Sequence, residues 1–436
     1  MRKKLSIILA VVLLTQIIVV PAGKIAATAD VAVDVSTDVA AGVSAQGLNV
    51  TSRSADSIKK YLKNGATVSD VVKFSKSPVL TAPYEMGKID TASHKNALKM
   101  LNQIRYIAGL PSDITAESRT DDYAQGAAFV NAVNRGLSHF PTQPSGMSNS
   151  MFRICQEGAR TTNLSYGYPT INSAMLEGWM VDDDAYNIQH VGHRRWILSP
   201  RMGKTSFGFV ANGNYGAMRC FDASKTSSID KIAWPAQNMP TEYFTSNSPW
   251  SFSTSDALDI SKVKVTLTRK SDSKKWTFSK NSSSGDFYVS NDGYGYLNCI
   301  IFRPKGGLTY TKKDKFTVSI TGIANPVSYN VNFFSLSDPV KKTVNVKSVS
   351  IKRGSKIVSK KTIKVSLKKD KKINLKAVIN PSNATNKKVS WKSSKTKLAK
   401  VSSSGKVTLR KRGTVKITVT SKQGKKKATV KIKIKK

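Results

Sequence analysis

From Val344 to the end of the chain, apolar residues alternate with lysine, as in Val430-Lys431-Ile432-Lys433-Ile434-Lys435. A period of two is the pattern of a strand with one buried face, because successive side chains point to opposite sides of a sheet. The spacing predicts strands over 373–379, 389–391, 415–419 and 430–434, with lysine repeatedly outward. Residues 341–436 hold 33 Lys or Arg against one acidic residue, Asp370, and so carry +32 of the chain's net +43. Lysine on the solvent side guards strand edges against pairing with other chains. A single-sign field of this density also attracts polyanions over a Debye length of about 8 Å at physiological salt.

The other end of the chain bounds where the protein works. Arg2, Lys3 and Lys4 precede an apolar run from Leu5 to Val20, and Ala27-Thr28-Ala29 offers small residues beyond it. A cationic start, a short apolar core and such a site predict a secretory signal peptide over residues 1–29, cleaved after Ala29. The run is shorter than the roughly 20 residues a membrane span needs, so no transmembrane anchor is expected after cleavage, and the expected location is secreted or cell-surface. Three widely spaced cysteines, Cys155, Cys220 and Cys299, allow at most one intrachain disulfide and exclude a disulfide-stapled scaffold.

Between these ends the texture changes twice. Residues 30–85 are rich in Ala, Val, Ser, Thr and Asp and read as a leader or linker with one short helix over 57–63. From His94, Ala97, Leu98, Leu101, Ile104 and Ala108 recur at helical spacing until Gly109 and Pro111 stop them. A second helix carries Tyr123, Ala127, Val130 and Val133 and ends at Gly136. A third runs near 171–180, with Ile171, Ala174, Met175 and Trp179 inward. Short strands are expected at 205–210 and 215–221. Helices followed by strands in one block predict a mixed domain whose helices cover a small sheet. From about Pro249 alternation takes over, as in Val263-Lys264-Val265-Thr266-Leu267, and predicts a β-sandwich over 245–340.

All four histidines lie in the α/β block. His94, in a first helical turn, reads as a surface residue. His139 follows the second helix, where a loop residue can be aimed into a cleft. His193 opens a predicted helix in Gly192-His193-Arg194-Arg195-Trp196-Ile197-Leu198, and His190 lies one turn before it. Glu157 and the run Asp182-Asp183-Asp184 stand between. Two imidazoles with one or two carboxylates form a donor set for a divalent metal such as zinc. A His-x-x-His pair also caps or packs helices, and three consecutive aspartates lack the alternating spacing of a calcium loop. No Gly-x-Ser-x-Gly elbow, zincin motif, phosphate-cradling loop or dinucleotide fingerprint is present.

At these residues the block resembles the CAP superfamily of SCP-like domains (cysteine-rich secretory proteins, antigen 5, pathogenesis-related 1). The matching pieces are Asn102-Gln103-Ile104-Arg105 with Leu110, Leu137-Ser138-His139, Glu157-Gly158, Trp179 with acids after it, and Gly192-His193-Arg194 leading to Ile197-Leu198. The resemblance implies an α-β-α sandwich over 86–240 whose cleft gathers two His and two acids, sometimes around a metal ion. Carried onto this chain, the cleft is His139, Glu157, His193 and Asp182, the last lying three residues past Trp179; Asp183 and His190 are the rivals. An Asp replaces the family's glutamate there, and the family's usual disulfides are absent. Asn380-Pro381-Ser382-Asn383-Ala384-Thr385, Val389-Ser390-Trp391 and Gly405-Lys406-Val407-Thr408 resemble a bacterial group 2 immunoglobulin-like domain over 344–436, with Trp391 in its core.

The resulting expectation is a multidomain chain, an α-β-α sandwich followed by two all-β immunoglobulin-like sandwich domains. Three functions fit it. The first is a secreted binding protein whose cleft holds an unknown ligand while residues 344–436 hold anionic cell-wall polymer or another extracellular polyanion. The second is a metal-assisted hydrolase, against which no nucleophile is visible. The third is a surface adhesin or spacer with a vestigial cleft. Export makes nucleic acid an unexpected physiological partner.

Overall fold

The computed structural model describes residues 46–339 and 344–436, and the expected signal peptide therefore lies outside the described residues. The chain divides into two compact units, the first ending at Val340 and the second beginning at Lys341. Among the described residues no helix is long and apolar enough to cross a membrane.

Among the described residues of the first unit the α-helices are α1 (Ala55–Leu62), α2 (Thr91–Ile107), α3 (Asp121–Val133), α4 (Asn149–Arg160), α5 (Ile171–Ser173) and α6 (Gly192–Ile197). Ser54, Asp90 and Ser148 cap α1, α2 and α4 by accepting the backbone N–H three residues on, which satisfies donors that a helix start leaves orphaned. The first two long helices match the periodicity. The described part of the segment expected to be leader or linker, residues 46–85, is instead built in, since α1 buries Ile58 in the core and strand Phe74–Lys76 pairs with Lys88–Ile89. The small sheet is antiparallel, Thr162–Tyr166 beside Tyr215–Arg219 beside Phe207–Val210. Helices α3 and α4 meet at Gly158, where an added Cβ would lie 1.9 Å from the Tyr123 carbonyl oxygen.

The same unit contains a β-sandwich. One sheet runs Gly285–Ser290, Asn298–Pro304, Trp250–Thr254, Lys231–Trp234, and the other runs Lys275–Phe278, Lys264–Arg269, Lys315–Thr321, Val327–Phe334, Asn238–Pro240. Aromatic rings bridge the two sheets, Trp250 to Phe316 at 5.5 Å and Phe278 to Phe302 at 5.2 Å between centroids. Two of these strands, Lys231–Trp234 and Asn238–Pro240, precede residue 245, where the sandwich was expected to begin. One contiguous buried cluster runs from Ile58 through Met100, Trp179 and Phe207 to Trp250, Val318 and Phe334. Helices and sandwich therefore share a core, and the boundary near 240–245 is not a division between separately packed bodies.

The second unit is all β and has its own core, including Ile351, Val407, Val415, Ile417, Val430 and Ile432. Its largest sheet has the order Thr362–Ser366, Lys427–Lys435, Gly413–Ser421, Val389–Ser393. The strand expected over 373–379 is two strands in different sheets, because Lys372–Asn374 pairs with Lys406–Leu409 while Lys376–Asn380 pairs with Ser348–Arg353. At the switch, Leu375 donates its N–H to the Gly405 carbonyl instead. Trp391 was expected in the core but is only half-buried, its ring packed over Gly405 at the cluster's flank.

Candidate functional site

The site is set by where the chain turns after Trp179. That indole is fully buried and donates to the Leu164 carbonyl at 2.8 Å, which ties a π-helical turn, Ala174–Trp179, to the small sheet. Three aspartates follow, and each goes its own way. Asp182 adopts φ 48° and is buried, Asp183 faces a pocket with Arg303 and Asp286, and Asp184 accepts the N–H groups of Tyr186 and Asn187 to form a turn. Burial pushes the Asp183 carboxyl above its ordinary value, with Arg303 opposing.

Asp182 meets His193. One carboxylate oxygen lies 2.8 Å from His193 Nδ1 and the other accepts the Arg194 N–H at 3.1 Å. A carboxylate only accepts, so Nδ1 carries the proton of this bond, and in the neutral form of the ring the lone pair is at Nε2. That Nε2 is buried and has no hydrogen-bond partner among the described residues. The residue that opens α6, Val191, is fully buried with φ 42°. Left-handed backbone costs about 1 to 3 kcal/mol at such a residue and concentrates at functional sites. Of the two left-handed positions here, one is Asp182 itself and the other, Val191, lies two residues before His193.

His139 completes the cluster. Its Nδ1 lies 2.6 Å from the Ala159 carbonyl oxygen, so Nδ1 donates and Nε2 is again the acceptor. Burial holds its pKa below the ordinary histidine value, the Ala159 bond opposes this, and the neighbouring His193 lowers it further. We expect a histidine titration by NMR to place His139 below an exposed histidine. The unfolded chain then binds the proton first, so the stability gained from a neutral His139 is complete above the ordinary value and is lost as pH falls toward the folded one. His139→Gln should flatten that acid-side slope, and a midpoint at or above the ordinary value would contradict the assigned burial.

Glu157, His190 and Asp183 stand apart from this arrangement. The Glu157 side chain is 41 % exposed and pairs with Arg160 at 3.3 Å; the need for Gly158 beside it is the helix approach already described. His190 lies 3.0 Å from Asp292, and its ring sits 5.5 Å from that of Tyr294 at a tilt of 46°, on the sandwich side. His94, expected at the surface, is largely covered and reaches Asp121 at 2.9 Å. Asp182, expected as a ligand, has both oxygens engaged, one with His193 Nδ1 and the other with the Arg194 N–H at the start of α6. Among the described residues no three His, Cys, Asp or Glu side chains are grouped to hold a metal ion. His139 and His193 by themselves supply two imidazole nitrogens, where a catalytic zinc takes three protein ligands.

Sequence reasoning missed the arginines after His193. Arg194 is fully buried and donates from Nε to Met180 O, from Nη2 to Val181 O, and from Nη1 to Pro249 O and Ser251 Oγ, at 2.7–3.1 Å. Arg195 reaches Ser290 Oγ and the carbonyls of Asp292, Tyr296 and Leu297. Both belong to the helix that presents His193, and both anchor it to the sandwich. Asn163 also holds it, donating to the His193 carbonyl at 3.1 Å. All three cysteines are buried as free thiols, and burial raises the Cys155 thiol to about 12.

Residues 346–432 match the family model of the bacterial immunoglobulin-like domain, group 2. No curated protein matches the chain. Among solved structures, the chain is similar to a C-terminal 282-residue fragment of intimin in complex with the intimin-binding domain of the translocated intimin receptor, at 22 % identity and TM-score 0.15, covering 48 % of this chain and 64 % of that one. A titin fragment matches at 12 % identity and TM-score 0.16, covering 46 % of this chain and 94 % of that one. Human protocadherin-24 EC1-2 matches at 8 % identity and TM-score 0.16, covering 39 % and 97 %. The chain spans under two thirds of the intimin fragment, and at these TM-scores the likenesses carry no argument about architecture.

Proposed function

We propose that the chain is an exported, surface-held binding protein whose second unit anchors it to anionic wall polymer and whose first unit offers a CAP-type cleft to a ligand. The observation that carries this reading is the uncompensated basic face of the second unit. In its largest sheet Lys416 stands opposite Lys431, and Lys364 opposite Lys433. Lys392 and Lys435 are exposed on the same face. Among the described residues the only ion pair of this unit is Arg353–Asp370. Like charges set directly across strands destabilise a sheet, so edge protection alone gives no reason to stack them.

The cleft reading is supported by the Asp182–His193 pair and by His139 beside it. In the neutral form of each ring Nε2 is the acceptor, so a group that reached it would donate a hydrogen bond, as a hydroxyl or amide does.

The test is retention on isolated, protein-free cell walls. The full chain is expected to bind and to lose binding when anionic polymer is stripped from the walls. Deletion of 344–436 should abolish retention while leaving the first unit folded, since each unit has its own core. Undiminished retention of the shortened chain would overturn the anchor.

A further inference from the structure

We propose a second binding site, independent of that reading, that takes a small cationic amphiphile in the cavity between α1, α2, the π-helical turn and the sandwich. The cavity has a volume of about 480 Å³, within the range of small-molecule sites. Its walls are largely apolar, among them Leu62, Val68, Met100, Leu176 and Leu336, and the charged residues that line it are both acidic, Glu177 and Glu242. No Lys or Arg lines it, in a chain whose net charge is +43. An apolar slot with carboxylates and no cation favours an apolar body with a positive head and disfavours a fatty carboxylate.

The polar groups are positioned as in a built site. Glu242 is held by Ser335 Oγ at 2.6 Å and the Leu336 N–H at 2.9 Å, both donating to one carboxylate oxygen. Glu177 is exposed and has no hydrogen-bond or ion-pair partner among the described residues. It stands with Leu176 on the π-helical turn, a widening of the helix that recurs at functional sites. At the cavity wall Tyr243 Oη accepts from Gln103 Nε2 at 2.8 Å, which leaves its own O–H to donate. Burial raises the Tyr243 phenol to about 12, so that proton is in place at neutral pH. Gln103 in turn accepts the Ala66 N–H and donates to the Ala66 carbonyl, fixing the N-terminal segment as one wall.

The decisive measurement is calorimetric binding to the full chain of octyltrimethylammonium, octanol and octanoate, each below its micellar concentration. Saturable binding of the ammonium compound at one site, at least tenfold tighter than octanoate, is expected, with octanol between them. Glu177→Gln changes an exposed, unpartnered side chain and should cut the ammonium-over-octanoate preference severalfold at an unchanged unfolding midpoint. Val68→Phe should weaken all three by filling the slot. Absence of saturable ammonium binding, octanoate binding as tight as the ammonium, or affinities untouched by Glu177→Gln would each overturn the proposal.

Discussion

Affinity of the chain for a linear polyanion is expected to fall roughly a thousandfold between about 50 mM and 200 mM monovalent salt, if about six lysines each displace a condensed counterion. The six are Lys364, Lys392, Lys416, Lys431, Lys433 and Lys435, exposed on one sheet face with no acidic partner there. Stability and binding should respond to charge reversal with opposite signs. Lys431→Glu replaces a repulsion across the strands by an attraction to Lys416, which should stabilise the unit by about 0.2 to 1 kcal/mol. The same change removes two units of attraction for the polymer and should weaken binding and flatten the salt slope. A salt-independent affinity, or a Lys431→Glu protein that binds as tightly as its parent, would reduce the lysines to a solubilising surface.

Replacing Arg194 by Met should destabilise the first unit by about 3 to 5 kcal/mol, the usual loss when one member of a buried charged network is removed. Burial already lowers the guanidinium to about 10, with Asp182 resisting the shift, yet the group remains charged at neutral pH. Its loss strands the carbonyls of Met180, Val181 and Pro249 without their donor, and an unmet buried acceptor costs about 1 to 3 kcal/mol. Arg194→Lys should recover only a fraction, because an ammonium cannot reach in several fixed directions as the planar fork does. In denaturant the transition of the second unit serves as the internal reference and should not move. An Arg194→Met midpoint within about 1 kcal/mol of the parent would show that the arginine does not hold helices and sandwich together.

Large apolar residues made α2 and α3 legible, and lysine alternation did the same for the second unit's strands. Helix α4 escaped because its buried face is Cys155, Gly158 and Ala159, residues too small to mark a hydrophobic stripe. Strand Thr162–Tyr166 escaped for a related reason. Thr162, Asn163 and Ser165 are buried yet polar, and the bonds that make this tolerable run to residues near and far in sequence, to Gly158, His193 and Gly216. At the site, His139 and His193 stood out as a loop residue and a helix start, positions from which a side chain can be aimed inward. Asp182 was reached only through the family resemblance, by its distance from Trp179, and its orienting role could not be read, since three neighbouring aspartates look alike until the positive φ at the first turns it inward. Glu157 was chosen beside a glycine whose requirement is steric, and steric requirements and chemical ones leave the same mark on a sequence.

The register of the lysine ladder also bears on resistance to proteolysis. A chain with 33 basic residues after residue 340 offers a trypsin-like protease a target at almost every third position. Such an enzyme must draw an extended segment into its own cleft, and lysines such as Lys416, Lys431 and Lys433 sit on backbone already committed to neighbouring strands. Their side chains are displayed while their peptide bonds are withheld. Cleavage there waits on opening of the sheet and so reports how often the unit unfolds, not how many lysines it shows.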